Sequence, residues 1–216
     1  MGGVGAERSQ VRIVAIDTTS EYGSIALTER GALVEEIEIR SPDGFGHVLF
    51  GHLEALMKRH GWTYDSVAGY AAAAGPGSFT GVRVGLSAAK GLAEACGVKA
   101  AAVSNLQAMA VFGTAATRAP FCDARREQIY GGVFDANCDP IADETVGPLD
   151  AWLASLPPRA ELICSSPDHF KVEAVKTPRT LASAIAKLAP RCWRDPIELD
   201  ANYVRRSDAE LNWTDK

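Results

Sequence analysis

Two degenerate copies of one α/β plan, packed side by side with a cleft between them, are what this sequence predicts. Three observations lead there. A short apolar run ends in an aspartate twice, at Asp17 and at Asp123, 106 positions apart. Each aspartate is followed by a turn and a returning strand, whose body lies eight residues on, at Ile25 and Gly131. Helical segments then alternate with short apolar runs in both halves, as in mixed sheets flanked by helices.

Each element has its own signal. Val11–Ile16 is a short apolar run that reads as a buried strand, and it ends in the polar turn Asp17-Thr18-Thr19-Ser20. Gly23–Thr28 returns as a second strand and Leu33–Ile39 alternates as a third. Gly44–His60 reads as a helix and Val67–Ala74 as another buried strand. Ser78 or Thr80 then caps a helix that runs to Cys96 and stops at Gly97. Ala100–Val103 is a strand and Leu106–Phe112 a short helix. In the second half, Gln128–Asp135 and Pro140–Val146 follow Asp123 as strands. A helix at Leu149–Ser155, a loop around Pro157, a strand at Leu162–Cys164 and a helix at Leu181–Leu188 complete the copy. The stretch after Pro190 is basic and aromatic, with Trp193, Arg194, Tyr203, Arg205, Arg206 and Trp213. The division is therefore 1–10 as a flexible N-terminus, 11–112 as the first lobe, and 113–216 as the second lobe and tail.

Composition narrows the function. The 216 residues are 47% hydrophobic, enough to bury a core as one domain or two small lobes. A net charge of −5 gives no general attraction for nucleic acid, so such a role needs a local patch or a partner. Five scattered cysteines without C-x-x-C argue against a disulfide framework and fit a reducing cytoplasm. MGGVGAERSQ at the N-terminus lacks the apolar region of a secretory signal, and no run is long enough to cross a bilayer. The expectation is a cytoplasmic protein with no membrane partner.

The chemistry-bearing stretch is Gly75–Gly81, GPGSFTG. It lacks the Lys of a phosphate-binding Walker loop, the third Gly of a dinucleotide fingerprint and the spacing of a nucleophile elbow. Two readings remain open. Backbone N–H groups at the start of the following helix could bind an anion, or Gly75 and Gly77 serve only the turn and close packing. Gly81, Gly85 and Ala88 form a smooth strip along that helix, one that lets another backbone approach. Asp17 and Asp123 open onto the expected cleft. Such aspartates orient a metal-bound water or phosphates, or else cap their own turns. Histidines are few, and His47 and His52, five apart, point to different sides of a helix, so no metal site is expected. In the helix Gly44–Gly61, Leu49, Leu53, Leu56 and His60 run at 4-3-4 spacing, widened by Phe45, Val48, Phe50 and Met57. An arc this wide reads as a core helix, or as one packed on its own sheet and also on a partner.

Read together, AIDTTSEYGSIAL (Ala15–Leu27), GPGSFTGVRVGLSAAKGLA (Gly75–Ala93), VSNLQAMA (Val103–Ala110), DARREQIYGGVF (Asp123–Phe134) and YVRRSDAE (Tyr203–Glu210) resemble the TsaB family of tRNA threonylcarbamoyladenosine biosynthesis proteins. The resemblance runs over nearly the whole chain. It implies a duplicated actin-like (ribonuclease H-like) fold. It also implies a non-catalytic subunit that binds the larger paralogue TsaD, which transfers threonylcarbamoyl to the adenosine beside the anticodon. The catalytic paralogue holds its metal with a histidine pair spaced H-x-x-x-H; Asn105 and Met109 stand at those positions here.

By the same resemblance, Asp17, Thr18, Gly75, Gly77 and Ser78 form a vestigial nucleotide site. No cofactor is required, with ATP or ADP as the nucleotide a partner interface would admit. The partner surface falls on Val48, Leu49, Leu53, Leu56, Met57, Gly81, Gly85 and Lys90. A TsaE-type ATPase joins the complex, a homodimer forms when the chain is alone, and tRNA is met only indirectly. Two departures from the family pattern stand out. Cys164-Ser165-Ser166 replaces a glycine-rich turn, and His47-Val48-Leu49 replaces a His-Ser-Glu start. The competing readings are a small sugar-kinase-like ATPase using Asp17 and the glycine loop, and a peptidase-like protein.

Overall fold

The computed structural model describes residues 11–204. In chain order these form β1 (Arg12–Asp17), β2 (Tyr22–Glu29), β3 (Ala32–Arg40), α1 (Leu49–Arg59), β4 (Gly69–Ala73), α2 (Phe79–Cys96), β5 (Lys99–Val103) and α3 (Asn105–Ala110). They continue as β6 (Thr117–Arg125), β7 (Gln128–Asp135), β8 (Pro140–Gly147), α4 (Leu149–Ser155), β9 (Glu161–Cys164), α5 (Pro167–Phe170), β10 (Val175–Lys176), α6 (Ala182–Leu188) and β11 (Trp193–Arg194).

The strands build two mixed sheets of the same design. One has the order β3-β2-β1-β4-β5 with β11 beyond β5, the other β8-β7-β6-β9-β10. In each, the first three strands form an antiparallel meander and the last two run parallel to the first. The duplication inferred from the two aspartates is thus a duplication of topology. This is the actin-like α/β fold that the resemblance implies.

The first sheet is covered on both faces, which is why its central strands read as unbroken apolar runs. Val14, Ile16, Ile25, Leu27, Tyr70 and Ala72 share one core with the buried residues of α1 and α2. Ile13, Ala15, Ala26, Ala71 and Ala73 share the other with α3, α6 and the second sheet. Ser78 accepts the Gly81 N–H at 3.3 Å as N-cap of α2, and Gly97 ends that helix in the left-handed conformation at φ 65°.

Three points differ from the sequence expectation. The helix placed at 44–60 begins only at Leu49. Gly44 turns the chain at φ 88°, and Phe45 leaves the helical path to fill the space over Gly23, where a Cβ would come within 2.6 Å of its ring. Secondly, residues 182–194, placed by sequence in the second lobe, pack on the first sheet: α6 lies on β1, β2 and β4, and β11 pairs with β5. Reciprocally, α3 from the first half lies on β6, β7 and β9. The reason is shape and polarity. Buried Ala182, Ala184 and Ala186 let α6 sit close on the alanine-rich face of the first sheet. Buried Ser24 accepts the Ala182 N–H at 3.1 Å and Glu36 the Ser183 N–H at 3.2 Å, satisfying the helix start. Thirdly, α5, β10 and β11 were not anticipated. They span two to four residues, too short to show a period, and tertiary contacts fix them.

Candidate functional site

A cleft of about 1040 Å³ separates the two lobes. Asp17, Thr18, Thr19, Gly77 and Ser78 line it from the first lobe, and Asp123, Ser165 and Ser166 from the second. Of the residues expected to hold a nucleotide, Asp17, Thr18, Gly77 and Ser78 are therefore gathered in one place. Gly75 is not on the lining. It is buried behind it, at φ 94°, a conformation suited to glycine.

The glycine loop and the Asp17 turn are latched together. Asp17 Oδ1 accepts from the Thr19 N–H at 2.9 Å and from Thr19 Oγ1 at 2.6 Å. The Ser78 N–H donates to the Thr19 carbonyl at 2.7 Å, and Thr18 Oγ1 donates to the Gly81 carbonyl at 2.7 Å. A Cβ on Gly77 would lie 2.7 Å from Thr19, one on Gly81 1.9 Å from the Thr18 carbonyl oxygen, and one on Gly85 2.7 Å from Thr18 Oγ1. Close packing is thus what these three glycines demonstrably serve. The approaching backbone foreseen from the smooth helix strip is the chain's own Thr18–Thr19.

Asn105 closes the latch. Its Oδ1 accepts the Gly75 N–H at 2.9 Å, its Nδ2 donates to Thr19 Oγ1 at 2.7 Å, and its own N–H donates to the Gly75 carbonyl at 2.8 Å. Asn105→Ala would leave the buried Gly75 N–H unpaired, at a cost of about 2 kcal/mol. Urea denaturation of the variant should show this; a loss under about 0.5 kcal/mol would mean the clamp is unimportant. Met109, one turn further along α3, is also buried and lines the cleft. Among the described residues no group of three or more His, Cys, Asp or Glu side chains is placed to share one ion.

Burial raises the Asp17 carboxyl above its ordinary range, against the lowering effect of hydrogen bonds from Thr19 and Asn105. A carboxyl raised on folding gives stability below its unfolded value that is lost as pH rises through its folded one. Asp17→Asn keeps an acceptor for Thr19 and removes the charge. The melting temperature of the variant minus that of the parent should therefore increase from about pH 4 to pH 7. A difference that falls over that range would show that the carboxylate is net stabilising.

Six of the eight residues expected at a partner surface are buried within the monomer. Leu49, Leu53, Leu56 and Met57 are buried against the first sheet, in the core of the monomer. Gly81 and Gly85 are buried against Thr18. Val48 is half-buried, and Lys90 donates to the Ile197 carbonyl at 3.0 Å. The wide apolar arc of α1 is explained by its own lobe, with Phe45 off the helix. Only Phe50, 49% exposed, remains on the outer side. Arg205, Arg206 and Trp213 lie outside the described residues.

Sequence reasoning missed Glu144, which links the second sheet to the loop support. Its carboxylate accepts from Ser104 Oγ and from Asn202 Nδ2, the latter at 2.7 Å, while the Asn202 N–H donates to the Ala74 carbonyl at 2.8 Å. Burial pushes this carboxyl up as well. A glutamate in an otherwise exposed, alternating strand carries no sequence signal of this role.

A family model described as TsaD, tRNA N6-adenosine threonylcarbamoyltransferase, matches residues 47–187. The chain belongs to the TsaD family. Its relatives include an uncharacterized protein of Mycobacterium tuberculosis, 28% identical over 92% of this chain and 93% of that one. Another is the tRNA threonylcarbamoyladenosine biosynthesis protein TsaB of Escherichia coli, 33% identical over 56% of this chain and 53% of TsaB. The resemblance to TsaB thus holds by direct comparison. A solved structure from Pseudomonas aeruginosa shares the fold, with a TM-score of 0.76 at 22% identity. It covers 90% of this chain and 100% of that one, and is described as an uncharacterized protein with similarity to peptidase YEAZ.

Proposed function

We propose that this TsaD-family chain is a non-catalytic subunit in the formation of threonylcarbamoyladenosine in tRNA, acting beside a TsaD-type transferase. The observation that carries the non-catalytic part is the use made of Asn105. Where the resemblance puts the first histidine of the paralogue's metal pair, this side chain spends its amide on Gly75 and Thr19. Met109 at the second position offers a soft thioether, a poor match for a hard ion beside phosphate. The two histidines that would hold a charge-supplying metal are thus replaced by a structural clamp and an apolar side chain.

The partner seat is the outer side of α1, around exposed Phe50, His47 and Gly51. The helix beneath is held by its buried Leu49, Leu53, Leu56 and Met57, and Arg59 and His60 at its C-terminal end also reach Glu35 of β3 at 2.9 and 2.6 Å. A homodimer through the same side is the state expected without the partner, and a TsaE-type ATPase completes the assembly. ATP or ADP would enter the cleft beside Asp17 and Ser78.

The test is a mass-spectrometric count of threonylcarbamoyladenosine in tRNA after depletion of the protein. The count should fall, and both the parent and Asp17→Ala should restore it. An unchanged count would overturn the pathway assignment. Failure of Asp17→Ala alone, with the protein folded and present, would favour the ATPase reading.

A further inference from the structure

The second-lobe wall of the cleft holds a polar group that the fold leaves unmet. Thr177 follows β10 and is 4% exposed, and its backbone N–H is fixed to the Cys164 carbonyl at 3.1 Å. Its hydroxyl is buried without a hydrogen-bond partner, yet the residue lines the cleft. Thr28 has a similarly unpartnered hydroxyl, but it lies inside β2, away from the lining, so an orphan hydroxyl alone marks no site. At Thr177 there is a second observation. Arg179, two residues on, lines the same cleft with an exposed guanidinium over the Tyr22 ring, 4.6 Å from its centroid. Among the described residues no carboxylate pairs with Arg179. Ser165 and Ser166 add hydroxyls on the same wall.

A buried hydroxyl without a partner costs free energy unless something fills it, and a guanidinium presents a fork of donors with no acceptor. The complement is an acceptor-only group bearing negative charge. We propose that Thr177 and Arg179 bind an oxyanion group of a small ligand, a carboxylate or a phosphate, on the wall opposite Asp17 and the glycine loop. The site lies apart from Asp17 and the glycine loop and does not depend on the subunit role proposed above.

The purified chain tests this without any partner. Its melting temperature is followed at pH 7 and constant ionic strength against inorganic phosphate and, separately, succinate. A saturable rise is expected with at least one, and the larger rise identifies the oxyanion. Arg179→Met, at an exposed position, should weaken the apparent affinity at least tenfold. Thr177→Val should raise the ligand-free melting temperature by removing the orphan hydroxyl, yet weaken the affinity several-fold. Thr80→Ala, at an exposed position on the opposite wall, should leave it unchanged. The proposal is overturned if neither anion gives a saturable rise, or if Arg179→Met or Thr177→Val binds as the parent does. It is also overturned if Thr80→Ala alone removes the effect. Loss of this site with normal threonylcarbamoyladenosine in tRNA would leave the subunit role standing.

Discussion

Gly81→Ala is expected to destabilise the protein by about 3 kcal/mol or more, although it adds only one methyl to a helix. The new Cβ would lie 1.9 Å from the Thr18 carbonyl oxygen and 2.9 Å from the carbonyl carbon. Both are backbone atoms and cannot swing aside. Relief requires α2 to lift or the Asp17 turn to move, and Thr18 Oγ1 ties that turn to the Gly81 carbonyl. The same displacement would open the first-lobe wall of the cleft. Gly91→Ala on the same helix is the control. Nothing lies within 4 Å of its Cβ, so helix propensity alone should make it more stable, by up to about 1 kcal/mol. Urea denaturation of the pair decides the matter. A Gly81→Ala protein as stable as the parent would refute the close approach of α2 to the turn.

Leu53→Asp should have an effect of similar size for a different reason. Leu53 is 0% exposed, in the core shared by α1, α2 and the first sheet. The substitution leaves a cavity and strands a carboxylate without a partner, a loss of about 3–5 kcal/mol. The variant should melt far below the parent or collect as insoluble protein. Phe50→Asp, beside it in sequence but 49% exposed, should keep the parent's melting temperature and lose co-purification with the transferase. If Leu53→Asp melts normally, α1 does not pack as described. If Phe50→Asp still binds the transferase, the outer side of α1 is not the seat.

Alternating strands and capped helices were legible because their signals are local. Ser78 and Gly97 bracket α2 through their own backbone preferences. The run Val14–Ile16 is apolar because both faces of β1 are covered, and a covered strand must be apolar throughout. The α1 stripe was legible as a stripe, but its occupant was not. A buried leucine against one's own sheet and a buried leucine against a partner have the same sequence. The glycines at 77, 81 and 85 posed the same problem. Their spacing announces a close backbone approach, and only the folded chain decides that the backbone is Thr18–Thr19. For Asn105, the exchange for histidine relative to the paralogue argued against the metal. The clamp it forms joins Thr19, 86 positions away, to Gly75, and no window of sequence contains both ends.

By itself, then, the sequence determined the duplicated order of strands and helices, the aspartate at the head of each copy and the family. Each of these rests on periods of two or 3.6 residues, on cap chemistry or on a contiguous motif. The tertiary structure decided the exchange of α3 and α6 between the lobes, the inward burial of α1, the glycine latch and the unmet Thr177 hydroxyl. Those depend on which surfaces meet across tens to more than a hundred residues. The energies of such meetings are properties of the packed chain and are carried by no residue alone.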